Sequence, residues 1–169
     1  MKKLKKLLLI TTVGLLILTL SACSKGVGTS KDGNEQKIEK AAMNLVTAVD
    51  KNKYKLISTE ELKKWIDNKE DMILVDTMPA DAYAKQKIPG AINATLPTKM
   101  DDVTTEQKEA FLKILGDNKN KKIVVYCGFV ACERSDVAAT IAKEAGFTEV
   151  YRQPGGIVSW IDAGYELAK

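Results

Sequence analysis

Two short, almost wholly apolar runs constrain the fold of this chain more than any other feature. Residues 72–75 lead directly into Asp76, and residues 123–126 lead directly into Cys127. Apolar runs of this length, bounded by polar residues, are typical of parallel strands that are buried on both faces. Helical patterns lie between and after them. This alternation predicts an α/β fold, a three-layer arrangement of a mostly parallel central sheet with helices on both faces.

Local signals at helix ends support this arrangement. Ser58 and Thr104 each begin a capping-box pattern, which predicts helices that reach about Asn68 and Leu115, the second closed by Gly116. A further helix is predicted over residues 135–145, and shorter strands over residues 54–57 and 149–151, the latter an edge or inner strand.

The N-terminus has the pattern of a secretion signal. A lysine-rich start precedes an apolar stretch, residues 7–20, that is too short to span a bilayer comfortably. Residues 20–23 read Leu-Ser-Ala-Cys and resemble the bacterial lipobox, so residues 1–22 are the predicted signal peptide and Cys23 the predicted lipidation site. An uncleaved anchor helix is the alternative. We expect lipid anchoring at the extracytoplasmic face of the cell membrane.

The next segments differ in composition. Residues 23–35 are rich in small and polar residues and predict a flexible tether. Residues 36–52 carry apolar side chains at helical spacing, which predicts an amphipathic helix that either packs on the fold or extends the stalk. Residues 53–169 then form one predicted domain.

Charge and residue usage exclude several classes of function. The formal charge of +4 equals the charge of the four lysines among the first six residues, so the remaining chain is neutral and indicates no nucleic-acid partner. The chain has no histidine, which excludes a Cys-His pair and a Ser-His-Asp triad. We expect no metal, no cofactor and a monomer.

Cys127 is the residue best placed for chemistry, because it follows a predicted strand and precedes a loop that enters a helix. Such a loop directs backbone N–H groups toward one point, which favours an anion and lowers a thiol's pKa, and Arg134 adds a positive charge. The alternative is that Cys127 is a small buried residue at a strand end. The predicted anion-binding loop contains Gly128, Phe129, Val130, Ala131, Cys132, Glu133 and Ser135.

Three segments in order resemble the rhodanese family. The first, residues 75–93, has a strand ending in Asp76, a short helix with an aromatic residue and an Ile-Pro-Gly-Ala turn. The second is the Cys127 loop with the helix end at residues 145–147. The third, residues 155–160, reads Gly-Gly-Ile-Val-Ser-Trp. The resemblance covers the chain from about Tyr54 to its end and implies a rhodanese-like fold.

The resemblance also implies a sulfurtransferase. Cys127 would accept a sulfane sulfur as a persulfide from a small sulfur-containing anion and pass it to a thiol or cyanide. The loop amides would hold the sulfur, Arg134 would neutralise the donor, and we expect Asp76 to support the site by bonding nearby amides. Six residues separate Cys127 from Arg134, which is longer than usual in the family's sulfurtransferases and fits a bulkier anion or a different function.

Cys132 leaves further alternatives open. It is close enough in sequence to Cys127 to act as a resolving thiol, a static disulfide clip or a buried filler. The chain is then either a sulfurtransferase, a thiol redox protein that uses the Cys127 and Cys132 pair, or a non-catalytic module that binds an oxyanion or a partner.

Overall fold

The computed structural model describes residues 34–169. The predicted signal peptide, Cys23 and nearly all of the predicted tether lie outside the described residues. No helix within the described range has the length and apolar character needed to cross a bilayer.

Helices and strands alternate along the described chain. A 3-10 turn, Met100–Asp102, follows the third strand. The elements are α1 Glu35–Asn52, β1 Lys55–Leu56, α2 Thr59–Asp67, β2 Met72–Asp76, α3 Ala80–Lys85, β3 Ile92–Asn93, α4 Thr105–Leu115, β4 Lys122–Tyr126, α5 Arg134–Glu144, β5 Val150–Gln153 and α6 Gly156–Asp162.

The five strands form one sheet in the order β1-β5-β4-β2-β3, and every strand pair is parallel. The predicted α/β class is confirmed, and the sheet is wholly parallel rather than mostly so. The predicted strand at residues 149–151 is an inner strand and extends to Gln153. The two-residue strand β3 at the edge was not predicted.

Helices cover both faces of the sheet. Val125 of β4 packs with Phe111 of α4 and Ile141 of α5, whereas its neighbour Val124 packs on the opposite face with Trp160 of α6. Successive strand residues point to opposite faces, so a continuous apolar strand supplies both cores. The three-layer arrangement is therefore confirmed.

Only one of the two predicted capping boxes forms completely. Thr104 accepts a hydrogen bond from the Gln107 N–H, and the Gln107 side chain accepts one from the Thr104 N–H. The Ser58 hydroxyl likewise accepts from the Glu61 N–H. The Glu61 carboxylate instead accepts a hydrogen bond from Trp65 Nε1 at 2.9 Å, so the reciprocal half of the first box is missing.

The helix α1 belongs largely to the domain. It begins at Glu35, one residue before the predicted start, and residues 38–169 form one compact unit. Ala41 is buried, and Ala48 and Val49 pack on the core cluster of Phe111 and Val125. The helix therefore contacts the fold through these residues.

Candidate active site

Cys127 lies at the carboxyl edge of the central strand. It directly follows β4, its side chain is 1% exposed, and it belongs to neither of the two hydrophobic clusters. Its Sγ lies 3.6 Å from the Sδ of Met78, which follows the neighbouring strand β2. Cys127 therefore sits where parallel α/β sheets bind ligands, beyond the strand ends.

Cys127 and Cys132 form a disulfide, with their Cα atoms 6.1 Å apart. The Cys132 N–H donates a hydrogen bond of 2.9 Å to the carbonyl of Phe129, which closes a turn within the loop. Cys132 is half-buried, so it is the more accessible of the two cysteines. The structure thus brings both predicted thiols together in one covalent ring.

The loop and the first turn of α5 carry backbone donors that have no acceptor in the part of the chain that the structure describes. Between Gly128 and Ser135, only the N–H of Cys132 has an acceptor among the described residues. Unpaired N–H groups at the start of a helix carry a partial positive charge and favour a bound anion. The unpaired donors are the N–H groups of Gly128, Phe129, Val130, Ala131, Glu133, Arg134 and Ser135.

Two charged residues stand at the end of the loop. Glu133 precedes α5, is exposed, and makes no capping hydrogen bond through its side chain. Arg134 is the first residue of α5, and its Nη1 donates a hydrogen bond to the carbonyl of Leu96. Arg134 is half-buried, so its charge lies close to the loop while one of its donors is already engaged.

The sequence reasoning missed Arg152, which is 3% exposed on β5. Its Nη2 donates to the Cys132 carbonyl at 3.0 Å, and its Nε donates to Ser135 Oγ at 2.9 Å. Its Nη1 donates to the hydroxyl of Tyr54 at 3.2 Å, and that hydroxyl donates to Asp136 Oδ1 at 2.6 Å. Burial raises the pKa of Tyr54 above its usual value, so it stays a neutral donor. Arg152 is therefore a fixed cation behind the second half of the loop.

The N-terminus of α6 supports the first half of the loop. The N–H groups of Ile157 and Val158 donate to the carbonyls of Cys127 and Gly128, at 2.9 Å and 3.1 Å. Gly156 precedes them with a φ of +64°, and a Cβ there would lie 2.5 Å from the carbonyl oxygen of Gly128. Only glycine permits both this conformation and this close approach.

Asp76 shapes the turn that carries Met78. Its side chain is buried, and its Oδ1 accepts a hydrogen bond of 2.8 Å from the Met78 N–H. Burial raises the pKa of this carboxyl, and the hydrogen bond from the Met78 amide opposes that rise. Asp76 thus fixes the backbone on which the Met78 sulfur contacts Cys127.

Known proteins resemble this chain over its rhodanese-like part. A tRNA uridine(34) hydroxylase of Acinetobacter baumannii (strain AYE) is 33% identical over 95 residues, which are 56% of this chain and 28% of that protein. The chain therefore spans less than a third of the length of this relative.

Two solved structures share the fold. The thiosulfate sulfurtransferase of Pseudomonas aeruginosa has a TM-score of 0.58 at 19% identity, covering 72% of this chain and 21% of that chain. The polysulfide-sulfur transferase homodimer of Wolinella succinogenes has a TM-score of 0.55 at 19% identity, covering 80% of this chain and 92% of that chain. At these identities the similarity shows the fold alone.

The family model described as Rhodanese-like domain matches residues 58–163. This match contains the sheet from β2 to β5 and the whole Cys127 loop. It covers well over half of the 169 residues. The chain therefore belongs to the rhodanese-like domain family, whose members include sulfurtransferases.

Proposed function

We propose that this protein is a membrane-anchored, extracytoplasmic sulfurtransferase that forms a persulfide on Cys127. The observation that carries the proposal is the position of Cys127 at the start of a loop in which every N–H group from Gly128 to Ser135, except that of Cys132, lacks an acceptor among the described residues. Thiolates, persulfides and sulfur oxyanions are all anions, and such a loop stabilises each of them.

The chemistry begins from the reduced pair. The Cys127 thiolate attacks the outer sulfur of a donor such as thiosulfate, the sulfur–sulfur bond of the donor breaks, and sulfite leaves with the electron pair. The loop amides and Arg134 stabilise the negative charge during this step. A thiol or cyanide then takes the outer sulfur, and Cys127 returns to the thiolate.

The choice of donors follows from the shared fold. Two proteins of this fold are named for the transfer of sulfur from thiosulfate and from polysulfide. Both donors are small anions, which suits a site built from N–H groups. They are therefore the donors to test first.

A thiosulfate assay on the full-length chain, purified in detergent and reduced beforehand, tests the proposal. We expect sulfite from thiosulfate, and thiocyanate when cyanide is present. Cys127→Ser should produce neither product. Sulfite formation that survives this substitution would assign the chemistry elsewhere, and a wild type that is unmodified by both thiosulfate and polysulfide would reject a sulfurtransferase.

The membrane anchor has its own test. Lipidation of Cys23 predicts that the wild type incorporates labelled palmitate and sediments with membranes. Cys23→Ser should lose the label. A wild type that never carries the label would reject the lipid anchor, whereas the sulfur chemistry of Cys127 would be unaffected.

A second candidate function is thiol–disulfide exchange without any sulfane sulfur. The Cys127–Cys132 disulfide favours it, because both thiols lie in one loop and one of them is half-buried. Alkylation of the protein in graded dithiol buffers measures the equilibrium. Two free thiols at every potential tested would exclude this function.

A further inference from the structure

We propose that, unless a strong acceptor such as cyanide is supplied, the sulfur accepted by Cys127 leaves as sulfide, because Cys132 attacks the persulfide before a dissolved thiol does. The inference rests on the proposed function, since it needs a persulfide on Cys127. It makes the protein a persulfide reductase whose resting product is the Cys127–Cys132 disulfide and whose partner is a dithiol reductant.

Cys132 is positioned to attack a persulfide on Cys127. Its sulfur lies within bonding reach of Cys127, as the disulfide shows. The backbone around it is held from both sides: its N–H donates to Phe129, and its carbonyl accepts from Arg152. Arg152 is itself fixed by Ser135 and Tyr54. Cys132 is therefore a positioned nucleophile rather than a residue on a loose loop.

The site around Cys127 leaves little room for an external acceptor. Its side chain is almost completely buried, and Met78 Sδ lies 3.6 Å from its Sγ. The space beside Met78 is tight, since a Cβ on Gly128 would lie 3.3 Å from the same sulfur. An external acceptor must enter this enclosed site, whereas Cys132 already lies in it. An intramolecular nucleophile has an effective concentration far above that of a dissolved thiol.

The reaction balances without further components. The Cys132 thiolate attacks the inner sulfur of the Cys127 persulfide, the bond between the inner and outer sulfur breaks, and the outer sulfur leaves as sulfide with the electron pair. The cysteine pair loses two electrons and the sulfane sulfur gains them. One sulfide is released for each sulfite formed from thiosulfate.

Regeneration requires an external dithiol. Because Cys132 is half-buried and Cys127 is buried, the incoming thiolate attacks the sulfur of Cys132. Cys127 is then the leaving thiolate, and the unpaired N–H groups of the loop stabilise its charge. The second thiol of the reductant displaces Cys132, so the reductant becomes a disulfide and both cysteines of the pair return to thiols.

One tryptic peptide reports the outcome directly. Cleavage after Lys122 and Arg134 releases residues 123–134, which contain both cysteines. The reduced full-length chain is treated with thiosulfate in the absence of air and added thiols. The readouts are sulfite, sulfide and the mass of this peptide.

The wild type should release equal amounts of sulfite and sulfide, and its peptide should lose two hydrogens. Cys132→Ser should release sulfite without sulfide, and its peptide should gain one sulfur atom. Cys127→Ser should give neither product and an unchanged peptide. Cys132→Ala serves as a second variant in case serine disturbs the loop, and circular dichroism checks that each variant is folded.

Two results would overturn the inference, and only one of them would also reject the sulfurtransferase proposal. A wild-type peptide that keeps the added sulfur beside a free Cys132 rejects sulfide release while the sulfurtransferase proposal stands. No sulfite from any reduced form rejects the sulfurtransferase proposal and this inference with it.

Discussion

Gly156 holds the backbone on which the Cys127 loop rests. Gly156→Ala should lower the free energy of unfolding by about 2 to 4 kcal/mol, because the left-handed backbone and a clash with Gly128 both oppose a Cβ. Urea denaturation measures the loss. Gly164→Ala is the matched control, since its φ is +72° but a Cβ there meets no atom within 4 Å. Equal losses in both variants would show that the approach to the loop is unimportant.

Asp76 should make stability depend on pH. Its pKa in the folded protein is raised by burial above the usual 3.8, so folding favours the protonated carboxyl. At pH values below the pKa of Asp76 in the unfolded chain, this carboxyl does not destabilise the fold. The destabilisation grows as the pH rises toward the pKa of Asp76 in the folded protein, and it is constant above that pKa. Asp76→Asn keeps an acceptor for Met78 and lacks this destabilisation.

The measurement is the difference in unfolding free energy between Asp76→Asn and the wild type at a series of pH values. The difference should shift in favour of the variant as pH rises from about 4 through the folded pKa. A difference that is constant across that range would show that the burial of Asp76 does not alter its protonation.

Some single residues could be predicted from the sequence and one important residue could not. Cys127 and Cys132 were visible because they flank a turn between a strand and a helix. Arg152 was not, since its partners Tyr54, Ser135 and Cys132 are 98, 17 and 20 residues away along the chain. A charged residue directly after the predicted strand at residues 149–151 was the available signal.

Among the secondary-structure elements, β4 has the most demanding environment. Val125 is fully buried in this strand, which pairs with β2 on one side and β5 on the other. Val125→Asp should abolish folding, because an unpaired buried carboxylate costs several kcal/mol, which is comparable to the stability of a whole domain.

Thermal unfolding followed by circular dichroism checks the Val125 prediction. Val158→Asp is the control for introducing the same charge, because Val158 is 55% exposed on α6. We expect the control to unfold cooperatively. A Val125→Asp protein that melts at the wild-type temperature would contradict the burial of β4 between two helical layers.

The long apolar strands were the easiest elements to predict, and the edge strand β3 was not predicted. β2 and β4 each have five residues, enough for an apolar run to stand out. β1 has only two residues, but it lies within the predicted strand at residues 54–57. β3 also has two residues, and it forms through pairing with β2 rather than through a pattern of its own. The capping box at Ser58 is only half formed for a different reason. Trp65 Nε1 donates to the Glu61 carboxylate, so that carboxylate does not bond the N-terminus of the helix.

At the scale of the whole molecule, the disulfide closes a very small ring. The two cysteines are five residues apart, and a ring of this size restricts the unfolded chain by only about 2 kcal/mol. That is less than the typical domain stability of about 5 to 15 kcal/mol. The reduced protein should therefore remain folded, as the proposed chemistry requires.

Urea denaturation with and without a dithiol reductant tests this prediction. The wild type should keep a cooperative transition and lose about 2 kcal/mol on reduction. Cys132→Ser should be insensitive to the reductant. Unfolding of the wild type on reduction alone would contradict the prediction and would give the disulfide a mainly structural role.

The architecture was predictable at the level of class but not of strand order. Alternating strands and helices indicate parallel pairing whatever the order of the strands. The order β1-β5-β4-β2-β3 places the last strand inside the sheet, and contacts such as Lys55 with Glu149 depend on it. These contacts join residues from opposite ends of the domain, which local patterns do not connect.

The support that α6 gives to the loop also has a consequence for biosynthesis. A ribosome makes Cys127 and Cys132 well before Ile157 and Val158, whose N–H groups bind the carbonyls of Cys127 and Gly128. A nascent chain that stops before Gly156 contains both cysteines but lacks the residues that hold their loop. A chain terminated before Gly156 would thus be a polypeptide with two thiols and an unfinished site.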